Sequence, residues 1–191
     1  LEALSAGVTT IADTTDSGAA VFAAQDCGLR GVFYREAGAI DKRLVNYAMK
    51  KMDSDLDKWS QNIDADRITL GVAPLPVYEC HPEFYREVAK YANAHNDLPI
   101  AMLLAGSDEE FRFVKDGATG GLDNTIDQRG FVEVPPWLPT QVTPVNYVLN
   151  WGLFEAKNVT MIYGVCVNDD DIRALKKYDV CLLYTSDAAD D

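Results

Sequence analysis

Short, almost wholly apolar runs recur along this chain, and each is followed by a segment with helical periodicity. The runs are Val8-Thr9-Thr10-Ile11-Ala12, Leu29-Arg30-Gly31-Val32-Phe33-Tyr34, Ile68-Thr69-Leu70-Gly71-Val72-Ala73, Pro99-Ile100-Ala101-Met102-Leu103-Leu104 and a last one from Val159 to Val165. They are rich in β-branched residues and bounded by Gly or Pro, as strands are. Between them, Asp16 and Ser17 can cap a helix that ends at Gly28, and Leu44, Val45, Ala48, Met52 and Leu56 recur at spacings of three and four. Pro82 stands where a first helical turn tolerates it, with Phe84, Tyr85, Val88 and Tyr91 as the apolar face behind it. Ser107-Asp108-Glu109-Glu110 reads as a capping box, and further helices are expected over 144–151 and after Asn168-Asp169-Asp170. A loop rich in Gly and Pro runs from about Gly117 to Pro136.

Strands without polar alternation are covered on both faces, which is the mark of a parallel α/β sheet wrapped by helices. Periodicity alone fits both a doubly wound open sheet and a (β/α)8 barrel. No glycine-rich phosphate loop follows the first run, which weakens nucleotide-binding versions of the open sheet. The charge balance narrows the partners. With 30 Asp and Glu against 17 Lys and Arg the formal net charge is −13, so nucleic acid and anionic membranes would be repelled. The four cysteines form no C-x-x-C pair, which points to a reducing, cytoplasmic setting rather than a disulfide framework.

Both ends read as interrupted. Leu1 to Gly7 looks like the last turn of a helix closed by glycine, so more sequence is expected upstream. A sixth strand begins at Tyr178-Asp179-Val180. From Cys181 to Asp191 the text then resembles the translation of a transposon-type sequencing adapter. The chain is therefore divided into a truncated barrel-like domain over 1–180 and a non-native tail over 181–191.

Several stretches together resemble the amidohydrolase superfamily, in particular the branch of cytosine and S-adenosylhomocysteine deaminases and triazine chlorohydrolases. They are Gly7-Val8-Thr9-Thr10-Ile11-Ala12-Asp13 with Gly28-Leu29-Arg30-Gly31; Val72-Ala73-Pro74 with Tyr78, Pro82-Glu83 and Tyr85; Leu98-Pro99-Ile100; and Ser107 to Glu110. Trp137-Leu138-Pro139 with Pro144 and Tyr147, and Asn168 to Ile172, follow in the same order. The resemblance implies a partial (β/α)8 barrel holding about the family's second to sixth strands with their helices. It also implies hydrolysis of C–N or C–halogen bonds in purine-, pyrimidine- or triazine-like compounds, with zinc or iron activating a water. The family's ligand and catalytic positions are expected to be filled here by Leu75, Met102, Ala105 and Tyr163. A leucine cannot ligate, methionine sulfur suits zinc poorly, and alanine moves no proton. The expectation is therefore a stretch without cofactor and without catalytic residues of its own. It is either part of a hydrolase of doubtful activity or a catalytically silent barrel that binds a small molecule or serves as a partner subunit.

Other residues remain as candidates. Arg35 and Glu36 follow the second apolar run and could grip a substrate anion, or simply form an ion pair. Tyr78 and His81 could touch a substrate; His81 with Cys80 and Cys166 could form a replacement metal site, or cap a helix. Tyr163 could fill the emptied pocket or offer its hydroxyl. Trp137 is a lid aromatic or packing, His95 a helix-end histidine at the inert rim, and Asp169-Asp170-Asp171 a helix start rather than a calcium loop. The partners this allows are a small-molecule ligand and a second copy of the chain, with no nucleic acid and no membrane.

Overall fold

The computed structural model describes residues 2–117 and 139–183. A short helix α1 (Glu2–Ser5) leads into β1 (Thr10–Thr15), α2 (Ala19–Cys27) and β2 (Arg30–Ala37). After a 3-10 turn at Lys42–Leu44 come α3 (Val45–Ser60), β3 (Ile68–Pro74), α4 (Glu83–Ala94), β4 (Ile100–Leu104) and α5 (Asp108–Asp116). The chain continues with α6 (Pro144–Asn150), a 3-10 turn at Leu153–Glu155, β5 (Val159–Tyr163), α7 (Asp169–Lys177) and β6 (Cys181–Leu183).

The six strands lie in the order β1-β2-β3-β4-β5-β6, and every neighbouring pair is parallel. This order settles what periodicity left open. A doubly wound sheet reverses direction part-way; here each crossover steps to the next strand on the same side, as in a barrel. The sheet also curls. Ala12 on β1 and Leu183 on β6 border one cavity of about 220 Å³ on the concave side, and Tyr34 on β2 and Thr160 on β5 line it between them. The architecture is a curled half-barrel, a portion of a (β/α)8 barrel. Residues 181–183, read from the sequence as the start of a non-native tail, pair with β5 as β6; 184–191 lie outside the described residues.

Strand alternation sorts side chains into two layers. Phe33, Val72, Ile100, Met102, Leu104 and Met161 point outward and pack with Val21, Met52, Phe84, Val88, Phe113 and Val148 of the helices. Val32, Tyr34, Ala73, Ala101 and Ile162 cluster on the concave side. Gly71 makes that inner packing fit: a Cβ there would come 2.6 Å from the Tyr34 ring and 2.5 Å from the Pro99 carbonyl oxygen. β1 and β2 begin later than the apolar runs suggest and extend further at their C-terminal ends, to Thr15 and Ala37, while β5 stops at Tyr163, short of the run's end at Val165.

The starts of α5, α6 and α7 follow the sequence signals, whereas α2, expected to be capped by Asp16 or Ser17, starts at Gly18 with no side-chain cap. Ser107 accepts from the Glu110 amide, Thr143 from that of Asn146, and Asn168 forms a reciprocal capping box with Asp171. Asp171 is fully buried and also accepts from Thr143 and from the Asn146 side-chain amide at 2.7 Å, tying the starts of α6 and α7 together.

Candidate functional site

In a barrel of this kind, the loops after the strands build one rim, and the chemistry collects there. Among the described residues that rim holds two cavities. One, of about 370 Å³, lies at the tips of β3, β4 and β5 and is bordered by Pro76, Tyr78, Leu103, Gly106, Ser107, Glu110 and Tyr163. The other, of about 290 Å³, lies beside the ends of β1 and β2, with Asp16, Arg35, Glu36, Lys51, Leu75 and Glu79 on its walls.

The larger cavity is shaped by unusual backbone. Ala105 ends β4 at φ 53° and Tyr163 ends β5 at φ 86°, both in the left-handed region that costs a non-glycine residue about 1 kcal/mol or more. Between them Gly106 leaves room for the Tyr163 ring, whose Cδ2 would stand 3.0 Å from a Cβ at that position. The turn is held by Glu110, the third residue of α5. One carboxylate oxygen accepts from the Ala105 amide and the other from the Gly106 amide, both at 2.9 Å. Glu110 is only 6% exposed. Burial pushes its carboxyl above the usual range, and the two amide donors only partly offset that. Tyr78 is raised too, by burial first and then by the negative charges of Glu110 and Glu79 and by Tyr163.

Two sequence expectations need correction here. Met102 is 1% exposed and sits in the layer between sheet and helices, so it does not face the mouth. Ala105 is fully buried and does not border the cavity. The β4 residues at the mouth are their neighbours Leu103, 38% exposed, and Gly106. The reason is the two-residue period of a strand: shifting the reading by one residue exchanges the inner and outer faces.

The other candidates fall into place as follows. Arg35 lies on the helix side, 6% exposed, and grips Asp55 of α3 through Nε at 3.0 Å and Nη2 at 2.9 Å; it also donates to the Glu36 carbonyl. It is therefore committed to an internal ion pair rather than held out to a ligand. Burial pushes Asp55 up, but hydrogen bonds from Lys51 and Arg35 outweigh it and hold the carboxyl below its ordinary value. Glu36 accepts from Thr14 Oγ1 at 2.8 Å and borders the smaller cavity, as does Leu75. Tyr163 and Tyr78 border the larger one.

His81 stands at the start of α4, where its Nδ1 accepts from the Glu83 amide at 3.2 Å. Burial pulls its pKa down, favouring the neutral ring that can accept. Burial pushes the Cys80 thiol up to about 12, so it stays protonated. The Cys166 amide bonds to the Ala105 carbonyl, and burial and nearby acids raise its thiol also. Among the described residues no three His, Cys, Asp or Glu side chains converge as metal donors, so Cys80, His81 and Cys166 do not form a joint site. His95 stacks on Tyr91 at the end of α4, on the opposite rim. Trp137 lies outside the described residues.

Leu103, Gly106 and Glu110 are the mouth residues that reading the sequence missed. The capping box flagged Glu110 as a helix-start residue, but not that its side chain reaches back to the β4 turn. Counting alternation from Ile100, a buried outward residue, would have given Leu103.

A parallel run of βα units with cavities on the strand C-terminal rim defines part of a (β/α)8 barrel. No family model matches the chain. Among curated proteins it is 26% identical over 162 residues to 5-methylthioadenosine/S-adenosylhomocysteine deaminase of Carboxydothermus hydrogenoformans, covering 85% of this chain and 32% of the deaminase. Among solved structures it matches Helicobacter pylori aminofutalosine deaminase in complex with methylthio-coformycin, with TM-score 0.75 and 13% identity, covering 95% of this chain and 42% of that one. It also matches atrazine chlorohydrolase from Arthrobacter aurescens complexed with zinc, with TM-score 0.66 and 16% identity, covering 95% and 39%. The chain thus spans about a third of the length of the curated relative. The similarity to the curated deaminase agrees with the resemblance to the amidohydrolase superfamily, and the triazine hydrolase and aminofutalosine deaminase structures share the barrel fold.

That family, through its zinc-bound members, implies a metal at this mouth. The residues present do not fit one. Structural and catalytic zinc take imidazole, thiolate or carboxylate donors. At the tips of β3, β4 and β5 the described residues on the cavity are Pro76, Leu103, Gly106, Ser107, Glu110 and two phenols, Tyr78 and Tyr163, with no imidazole or thiolate among them. The one carboxylate among them, Glu110, accepts from the Ala105 and Gly106 amides, and a single carboxylate does not make a zinc donor set.

Proposed function

We propose that this stretch of barrel supplies the wall of a small-molecule pocket and not a hydrolytic metal centre. The observation that carries this reading is the set of residues on the mouth: hydrocarbon at Pro76 and Leu103, no side chain at Gly106, phenols at Tyr78 and Tyr163, a hydroxyl at Ser107 and a single carboxylate at Glu110. Such a surface is drier and less charged than a metal nest, and suits an aromatic or apolar body with a few polar atoms. Arg35, locked to Asp55, takes no part; Glu36 and Tyr78 are available on the same rim. On this reading the whole protein is a catalytically silent member of its family, binding a ligand alone or as a subunit beside an active partner.

The 26% identity to a deaminase favours a second reading, in which the whole protein hydrolyses a C–N or C–halogen bond of a purine-, pyrimidine- or triazine-like compound with donors from other strands. One experiment separates the two. The full-length protein is purified, its metal content is measured by mass spectrometry, and it is assayed on adenosine-type, cytosine and chlorotriazine substrates. Substoichiometric metal with no turnover is the expected result. Stoichiometric zinc or iron with turnover would overturn the silent reading.

A further inference from the structure

Glu110 stands in this cavity without a basic neighbour among the described residues. Among the described residues it makes no ion pair, and no Lys, Arg or His borders its cavity. A carboxyl that is 6% exposed, with two amide donors but no ion-pair partner among the described residues, gains from a cation placed beside it. Its geometry says which cation would fit. The two carboxyl oxygens each take one backbone amide, at 2.9 Å, and each keeps a lone pair. Two parallel acceptors of this kind match the paired N–H donors of an amidinium or guanidinium edge. On the same cavity stand Tyr78 and Tyr163, aromatic faces that attract a flat cation. Tyr163 is held there in a backbone conformation unfavourable for any residue with a Cβ, over a glycine that admits its ring. Strain of this sort, at two adjacent strand tips, marks ligand sites more often than inert turns. The surrounding excess of acid adds a long-range attraction for positive charge.

We propose that the cavity at the tips of β3, β4 and β5 binds a flat organic cation of the amidinium or guanidinium type, with Glu110 as its counter-ion and Tyr78 and Tyr163 as its aromatic walls. The proposal rests on reading this mouth as a ligand pocket without a metal. Glu110 also clamps the β4 turn, so the test must separate charge recognition from support of the loop.

Three probes of nearly equal shape do so: benzamidine, its neutral counterpart benzamide, and the anion benzoate, each titrated calorimetrically into the full-length protein. Benzamidine is expected to bind at least about tenfold more tightly than benzamide, and benzoate to show no saturable binding. Glu110→Gln is expected to remove most of the difference between benzamidine and benzamide. Tyr163→Leu, which leaves the carboxylate in place, is expected to weaken benzamidine several-fold. Should Glu110→Gln fail to fold, the three-probe comparison on the unmodified protein and Tyr163→Leu still decide the matter. Equal binding of benzamidine and benzamide by the unmodified protein would overturn the proposal. Bound zinc with turnover would overturn the metal-free reading of the mouth instead, so the two failures are told apart.

Discussion

Replacing Met102 by alanine is expected to destabilise the fold by about 3 kcal/mol, and replacing its neighbour Leu103 by about 1 kcal/mol or less. Met102 is 1% exposed and packed between the sheet and the helices beside Met161, its register partner on β5. Truncation there removes a buried thioether chain and leaves a cavity in a closely packed layer. Leu103 is 38% exposed on the concave side, so alanine forfeits only part of its transfer energy and leaves no sealed void. A histidine scan sharpens the contrast. Met102→His places an imidazole among Ile100, Leu104 and the helices and is expected to cost at least as much as alanine, whereas Leu103→His sits at the cavity and is expected to be tolerated. Urea denaturation of the full-length protein, followed by tryptophan fluorescence, measures each difference from the shift in midpoint at constant slope. Equal costs, or a larger cost at Leu103, would refute the assignment of faces and with it the correction made at the mouth.

Asp171→Ala is expected to cost about 3 kcal/mol, because the fully buried carboxylate accepts from Thr143, Asn146 and the Asn168 amide, and its loss leaves those donors unpaired; thermal unfolding measures it. Gly106→Ala is expected to displace the Tyr163 ring, read as an increase in the quenching of tyrosine fluorescence by acrylamide, with a modest loss of stability. For Glu110 the pH dependence has a definite sign. Its folded carboxyl lies above the ordinary 4.5, so the folded state binds the proton more tightly than the unfolded chain. Stability is then greater below that ordinary value and falls as pH rises through the folded one. The stability of the unmodified protein relative to Glu110→Gln should therefore decline as pH rises from below 4.5 through the raised folded value, and a rise instead would contradict the burial argument. Asp55, held low by Lys51 and Arg35, contributes the opposite way: its stabilisation is present above 3.8 and is lost as pH falls through the lower folded value.

The βα alternation was legible because each strand is a short apolar run and several helices carry their own start signal, as at Ser107 and Asn168. The choice between open sheet and barrel was not, since it depends on which strands are neighbours, and no local pattern encodes that. At the mouth, Tyr163 could be picked out because it lies at the end of an apolar run, and Tyr78 because it lies in the loop behind one. Met102 and Ala105 were misplaced because β4 is apolar at every position, from Ile100 to Leu104, and a strand without polar residues gives no cue to which side faces in. Arg35 looked available on the sequence for a related reason: its partner Asp55 lies twenty residues away on α3, at a separation that spacing arguments do not reach.

The one-way order of the strands has a further consequence for how such a protein can change. Each connecting loop on the C-terminal rim meets only those beside it, and the packed layer that holds Phe33, Met102 and Met161 lies beneath all of them. A lineage can therefore exchange its chemistry at the rim, imidazoles for phenols or an ion for a salt of ligand and acid, while the foundation below goes on folding as before.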